Sequence, residues 1–186
     1  MIDLYDILVN FMNEAEAHRR FHTGDYSGVD FGKSDLRYVG FRGCDLRGAN
    51  LSNCIIGRHT NFDNAIFDEN TKMPDYPMAC PEKGEFIGWK KALSLNFNMV
   101  LIKLLIPEDA KRSSATGNKC RCSKAKVLSI RDRTGKDLKL AIAMHNYSFN
   151  YPINEFVVPD SFDECRWHEC ASGIHFFINK EDAINY

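Results

Sequence analysis

Residues 24–69 read GDYSG VDFGK SDLRY VGFRG CDLRG ANLSN CIIGR, then His59, then TNFDN AIFDE when the chain is cut into fives. The third place of each unit is bulky and apolar or aromatic: Tyr26, Phe31, Leu36, Phe41, Leu46, Leu51, Ile56, Phe62 and Phe67. The first place is small or modest in size, from Gly24 and Val29 through Cys44, Ala49 and Cys54 to Ala65. A spacing of five suits neither standard element. On a helix it turns the apolar position by about 140° each time, and on a strand it alternates faces. One helix or one strand is therefore excluded. A narrow solenoid, in which each unit forms one side of a coil and coils stack, brings every fifth side chain to one interior.

The units ANLSN, CDLRG, SDLRY and VDFGK resemble the A(D/N)LXX motif of pentapeptide-repeat proteins. That resemblance implies a right-handed, four-sided β-helix with the first and third residues of each unit pointing inward. Nine units make a little over two coils, a stub roughly 10 Å tall at about 4.8 Å per strand. So short a solenoid exposes edges and calls for covering. His59 breaks the phase and predicts a bulge or loosened corner. Cys44 and Cys54 occupy the small position, where a thiol packs as a small hydrophobe.

Working outward, Leu4, Ile7, Leu8, Phe11 and Ala15 are spaced as one face of an amphipathic helix within residues 2–20. Asp3 is its expected N-cap, and the helix is expected to cap the solenoid. Residues 70–83, with Pro74, Pro77 and Pro81, read as a linker. The short apolar runs after it, GEFIGWKKAL, NMVLIKLLIP, CRCSKAKVLSI, LKLAIAM, EFVV and GIHFFI, read as strands, with residues 120–143 as a hairpin about the turn Arg133–Asp137. Asn179 is the expected N-cap of a short terminal helix, Lys180 to Asn185. The organisation is thus mainly β (α+β): a capping helix at 1–23, the pentapeptide-repeat β-helix at 24–69, a linker at 70–83 and a mixed, mainly antiparallel β domain at 84–186. The strings FIGWKKA, LIKLLIPEDAKRSS, KCRCSKAKVLSI and CASGIHFFINKEDA are similar to an uncharacterised domain that accompanies pentapeptide repeats in bacteriophage and some other viral and bacterial proteins. The resemblance implies a phage-type origin and carries no catalytic residues.

Composition bounds the function classes. The chain has 186 residues, 44% hydrophobic and 26% charged, and a formal net charge of -1, so neither a polycation nor a polyanion is read from the total. It has no run of eighteen apolar residues and no basic region followed by an apolar one at its start. No membrane partner and no secretory signal are therefore expected. Seven cysteines in that context point to a reducing cytoplasm, a host cytoplasm if the protein is phage-encoded.

The charge is unevenly placed. Ten basic residues against four acids lie between Pro107 and Lys139, whereas seven acids against two bases lie between Asn154 and Tyr186. In KRSSATGNKCR, residues 111–121, Lys111, Arg112, Lys119 and Arg121 alternate with Ser113, Ser114 and Thr116. This mixture offers cations and hydroxyls to a phosphate. No GxxxxGK[ST] loop is present, which argues against a nucleoside triphosphatase. Trp89 and Tyr147 are the expected aromatic surface. The expectation is a non-catalytic binding protein that sequesters a phosphorylated nucleotide signal, a counter-defence sponge in the phage context. The alternatives are a protein-interaction module that inhibits a host protein, and single-stranded nucleic-acid binding. A homo-oligomer is expected because a short solenoid exposes edges.

Two further groupings carry chemistry in principle. Cys120, Cys122, Cys165, His168 and Cys170 include enough ligands for zinc, yet their spacing matches no usual knuckle, and neither metal nor cofactor is expected. Cys170 with His175 and Asp163 has the composition of a nucleophile, base and orienting group. No local signature accompanies them, and no catalysis is expected.

Overall fold

The computed structural model describes residues 24–186. The amphipathic helix expected within 1–23 lies outside the described residues. The described residues divide into two compact units, 24–77 with Trp167–Cys170, and Met78–Arg166 with Ala171–Tyr186.

In the first unit the period of five becomes stacked coils. Parallel bridges join Asp25 to Asp45, Asp30 to Asn50 and Asp35 to Ile55, a step of twenty residues, or four units, per coil. The third-place side chains Phe31, Leu36, Phe41, Leu46, Leu51 and Phe62 are buried, as are Cys44, Ala49 and Cys54 from the first place. Phe41 stacks on Phe62 with ring centroids 5.3 Å apart. An Asp or Asn in the second place, present in six of the nine units, turns its corner. Its side-chain oxygen accepts the N–H two residues on, as in Asp25 to Ser27 at 2.9 Å and Asn61 to Asp63 at 2.8 Å, the local bond these side chains favour in turns.

His59 has the expected effect on phase. Beyond it the bridges Gly40 to Asn61 and Asp45 to Ile66 step by twenty-one. Thr60 closes the enlarged corner. Its hydroxyl accepts the Gly57 N–H at 3.0 Å and donates to the Leu36 carbonyl at 2.7 Å. Thr71 repeats the device at the next lengthened corner, accepting the Asp68 N–H and donating to the Leu46 carbonyl. A bridge from Asn50 to Lys72 carries the stack past Glu69. Trp167–Cys170 completes this unit: Trp167 sits edge-on to Phe62, the His168 Nε2 lies 2.9 Å from the Ala65 carbonyl oxygen, and the Cys170 N–H donates to the Asp63 carboxylate.

The second unit is one nine-stranded antiparallel sheet. Its strands are β1 (Phe86–Leu93), β2 (Met99–Ile106), β3 (Arg112–Ser114), β4 (Lys119–Cys122), β5 (Ala125–Asp132), β6 (Leu140–Ile142), β7 (Asn150–Pro152), β8 (Phe156–Val157) and β9 (Ile174–Phe177). They run in the order β3, β4, β9, β1, β2, β5, β8, with β6 also on β1 and β7 on β6. β2 shows why it is a strand: Val100, Ile102, Leu104 and Ile106 are buried and the intervening residues are not. Those four pack with Ala92, Cys120, Cys122, Val127, Ile130, Ile174 and Phe176 in one core. Gly88 is required on that face, since a Cβ there would stand 2.6 Å from the Phe176 ring. A short helix α1 (Lys180–Asn185) follows, with the Asn179 side chain accepting the Glu181 N–H as its cap.

One expectation needs amendment. The turn after β5 forms, with the Asp132 N–H donating to the Lys136 carbonyl and a bridge from Arg131 to Asp137. The second arm of the expected hairpin then leaves. Leu140–Ile142 pairs with β7 and reaches β1 at Ile142, which buries Ala141 and Ile142.

Candidate functional site

The segment 111–121 is a hairpin, β3 and β4, paired from Arg112 with Cys122 to Ser114 with Cys120. Its polar groups are largely turned to internal work. Arg121 is 1% exposed and donates to the carbonyls of Asp163, Cys165 and Ser172 at 2.8 to 2.9 Å. Arg112 donates to the carbonyls of Gly84, Pro107, Glu108 and Ala110 and lies over the Phe86 ring. Lys119 is buried and donates to the Tyr186 hydroxyl at 3.2 Å. Lys111 is the exposed member and pairs with Glu164. Ser113, Ser114 and Thr116 are buried; the Ser114 hydroxyl accepts the Ala79 N–H at 2.7 Å. Tyr147 is exposed and sits edge-on to Phe97. These residues do not converge on one pocket. An arginine whose donors meet carbonyls holds loops in place, as Arg121 holds 163–172.

Of the predicted residues, Trp89 alone lines a cleft. It belongs to the sheet face opposite the apolar core, and the register aligns that face across three strands. Trp89 pairs with Lys103, which pairs with Ser129; Lys91 pairs with Leu101, which pairs with Arg131. The cleft there has a volume of about 870 Å³ and is lined by Lys91, Lys103, Arg131, Arg133 and Lys180 around Trp89, with Asp132 as its single carboxylate. The ammonium groups of Lys103 and Lys180 lie 5.9 and 5.6 Å from the centroid of the Trp89 ring. Asp132 is engaged by the turn after β5: its carboxylate accepts the Thr134 and Lys136 N–H groups and the Thr134 hydroxyl. These bonds hold its carboxyl below the usual range.

A second crevice opens where β1 changes partner. β1 meets β9 at Trp89 with Phe177, and β6 at Leu93 with Ile142. A strand whose neighbours diverge leaves a crevice between them, the geometric origin of ligand sites in open α/β sheets as well. Its volume is about 250 Å³, and its lining includes Lys90, His175, Phe149, Tyr151, Phe177 and Tyr186. Lys90 is on the core side of β1, opposite Ile102 and next to Gly88 and Ala92. Its ammonium donates to the His175 carbonyl at 3.2 Å and lies 5.7 Å from the Tyr151 ring centroid. Burial lowers its pKa to about 8. Burial and the nearby Lys90, Lys119 and Arg121 charges push His175 down to about 3, so its imidazole is neutral at neutral pH. Its Nε2 is buried without a hydrogen-bond partner.

Sequence reasoning named His175 only as a partner for Cys170 and missed Lys90, which stands in an ordinary strand. The signal was phase: in GWKKA the order Gly88, Lys90, Ala92 puts a lysine at a core position. His175 makes no hydrogen bond through Nε2, so the thiol–imidazole bond a Cys170 nucleophile needs is not made by that atom. The Asp163 carboxylate accepts the Cys165 N–H instead. Among the described residues, no group of three or more His, Cys, Asp or Glu is placed to hold a metal ion, and no helix is long and apolar enough to cross a membrane.

The first unit carries the repeat class read from its coils: residues 24–54 match Pentapeptide repeats, in eight copies. Residues 76–183, more than half of the chain, match the Family of unknown function (DUF5758), and the chain belongs to that family. No curated protein and no solved structure matches the chain.

Proposed function

We propose that this protein captures, without turning over, a small phosphorylated ligand of nucleotide type in the cationic cleft around Trp89. The observation that carries the reading is the meeting of five cations and one indole on a single sheet face. Charge of one sign focused in a concave site attracts anions, and an indole offers a surface on which a base stacks. A volume of about 870 Å³ falls within the roughly 300–1,000 Å³ of small-molecule sites. Capture rather than turnover follows from composition: the cleft holds no histidine or cysteine, and its one carboxylate is engaged by its own turn. The further role, removal of a nucleotide immune signal by a phage-type protein, rests on the resemblance of the second domain and is what capture without turnover would serve. In this reading the repeat is a right-handed β-helix that serves as scaffold and holds copies together.

Calorimetry of the full chain against cyclic nucleotides and ADP-ribose derivatives tests the proposal. Binding should weaken at least tenfold in Trp89→Ala and in Lys103→Glu, and should fall with added salt. Absence of binding across the panel would overturn it. A second reading, single-stranded nucleic acid, is favoured by the exposed Lys136 and Lys139, which follow the cleft residue Arg133 along the chain. Tighter binding of an oligonucleotide than of any mononucleotide would select it.

A further inference from the structure

On the core face of the sheet, the crevice beside β1 is lined by Lys90, Ala143, Phe149, Tyr151 and Ile174. Strand phase puts these side chains together. Lys90 lies opposite the buried Ile102. Tyr151, opposite Ala141, and Ile174 belong to the apolar core, and Ala143 and Phe149 pack against it. The Lys90 ammonium reaches the split between β1 and β9, where it donates to the His175 backbone carbonyl at 3.2 Å. The centroid of the Tyr151 ring lies 5.7 Å from the same ammonium.

An ammonium has three N–H donors, and that carbonyl takes one of them. A cation drawn out of water is costly unless an opposite charge meets it, and burial disfavours the charge on Lys90. The lining supplies no such charge. Tyr151 and Cys122 stay protonated, because burial raises both. Asp160, the one carboxylate of the lining, is exposed and is not among the groups whose charge acts on Lys90. Lys119 does act on it and adds positive charge. A cation with donors to spare thus faces apolar rings in a crevice that wants an anion.

We infer that this crevice is a second binding site, distinct from the Trp89 cleft, which takes a small carboxylate borne on one flat ring. The carboxylate accepts from Lys90 Nζ and offsets its charge. The ring packs against Phe149 and Tyr151, which meet edge to face with centroids 5.0 Å apart. A charge-assisted bond in such surroundings is stronger than one in water. The volume of about 250 Å³ is below the range for drug-sized ligands and admits one ring rather than a nucleotide. The site does not rest on the reading of the Trp89 cleft.

Calorimetric titration of the full chain with benzoate, benzamide and acetate tests the inference. Benzoate should bind at least tenfold more tightly than benzamide, which keeps the ring and lacks the charge. It should exceed acetate, which keeps the charge and lacks the ring, by the same factor. Both comparisons use the parent chain and stand whatever the stability of a variant. Lys90→Met, which keeps the unbranched stem and removes the ammonium, should weaken benzoate at least tenfold, with a melting curve to confirm that it is folded. Benzoate should raise the melting temperature of the parent and leave that of Lys90→Met unchanged. No binding of benzoate at millimolar concentration overturns the inference, as does equal binding of benzamide or acetate. Full affinity in Lys90→Met would place the anion elsewhere, in the Trp89 cleft for one, and overturns it too.

Discussion

Replacing Lys90 by Met tests whether the ammonium in the core of the sheet is held there at a cost. Lys90 stands between Gly88 and Ala92 on the apolar face, and its pKa falls from the ordinary 10.5 to about 8 through burial. At about 1.4 kcal/mol per unit, the charged form is disfavoured in the folded chain by about 3 kcal/mol. The sign follows from proton counting. Between about 8 and 10.5 the unfolded chain binds a proton at this lysine and the folded chain does not, so stability rises with pH through that window. Below it both states are charged and the full cost is present. Methionine keeps the unbranched stem and removes the charge, but forgoes a neutral amine's bond to the His175 carbonyl, worth about 1 kcal/mol. Lys90→Met should therefore be more stable than the parent by about 2 kcal/mol at pH 7. The advantage should shrink above pH 8 and vanish or reverse near pH 10.5. Cys122 and Tyr151 remain protonated in the fold over most of that window and His175 is already neutral, so the neighbours add little to the change. Urea unfolding followed by far-ultraviolet circular dichroism at pH 7, 9 and 10.5 reads the difference. A variant less stable than the parent at pH 7, or a difference that does not change with pH, would refute the argument.

The remaining predictions concern what holds each unit together. Arg121→Lys should destabilise the second unit by about 3 kcal/mol, because one ammonium cannot serve the three carbonyls that the guanidinium reaches and each unserved buried acceptor costs about 1–3 kcal/mol. Faster proteolysis within 163–172 together with a lower urea midpoint would bear this out, and an unchanged midpoint would not. Thr60→Val, nearly the same in shape, removes both bonds of the enlarged corner and should cost about 1–3 kcal/mol, seen as faster amide exchange at Asn61, whose N–H bonds to Val39; exchange equal to the parent would show the corner holds without its hydroxyl.

Much of the first unit was legible because its rule is local. Five residues determine one side of a coil, with an Asp or Asn to turn the corner and a bulky third residue to fill the interior, and an inserted residue shows as a phase break. What covers the last coil was not legible in the same way. Trp167 and His168 come from more than a hundred residues further along, and no short-range pattern joins them to Phe62 and Ala65. The sheet was legible as a set of strands but not as an order. The departure of Leu140–Ile142 from the hairpin with β5 depends on β1 having an open edge beyond Trp89, a property of the pairing rather than of residues 120–143.

The basic segment 111–121 is ambiguous in sequence for a physical reason that the charge count conceals. Basic residues interleaved with Ser and Thr look the same in sequence whether they meet a phosphate or backbone carbonyls, since a guanidinium satisfies either acceptor. In 111–121 the strands β3 and β4 are buried, and the cations serve carbonyls. The cations around the cleft come instead from four separate stretches, Lys91, Lys103, Arg131 with Arg133, and Lys180, of which Arg131 is paired with Asp137. Their convergence is a consequence of register: a tryptophan at 89 opposite Lys103, one residue out of step with the core positions, fixes which side of the sheet is charged. A one-residue slip of β1 against β2 would send Trp89 and Lys91 into the core and Lys90 out to solvent. The cationic cleft and the buried lysine are thus one structural decision, and a substitution that shifts that register should abolish both together.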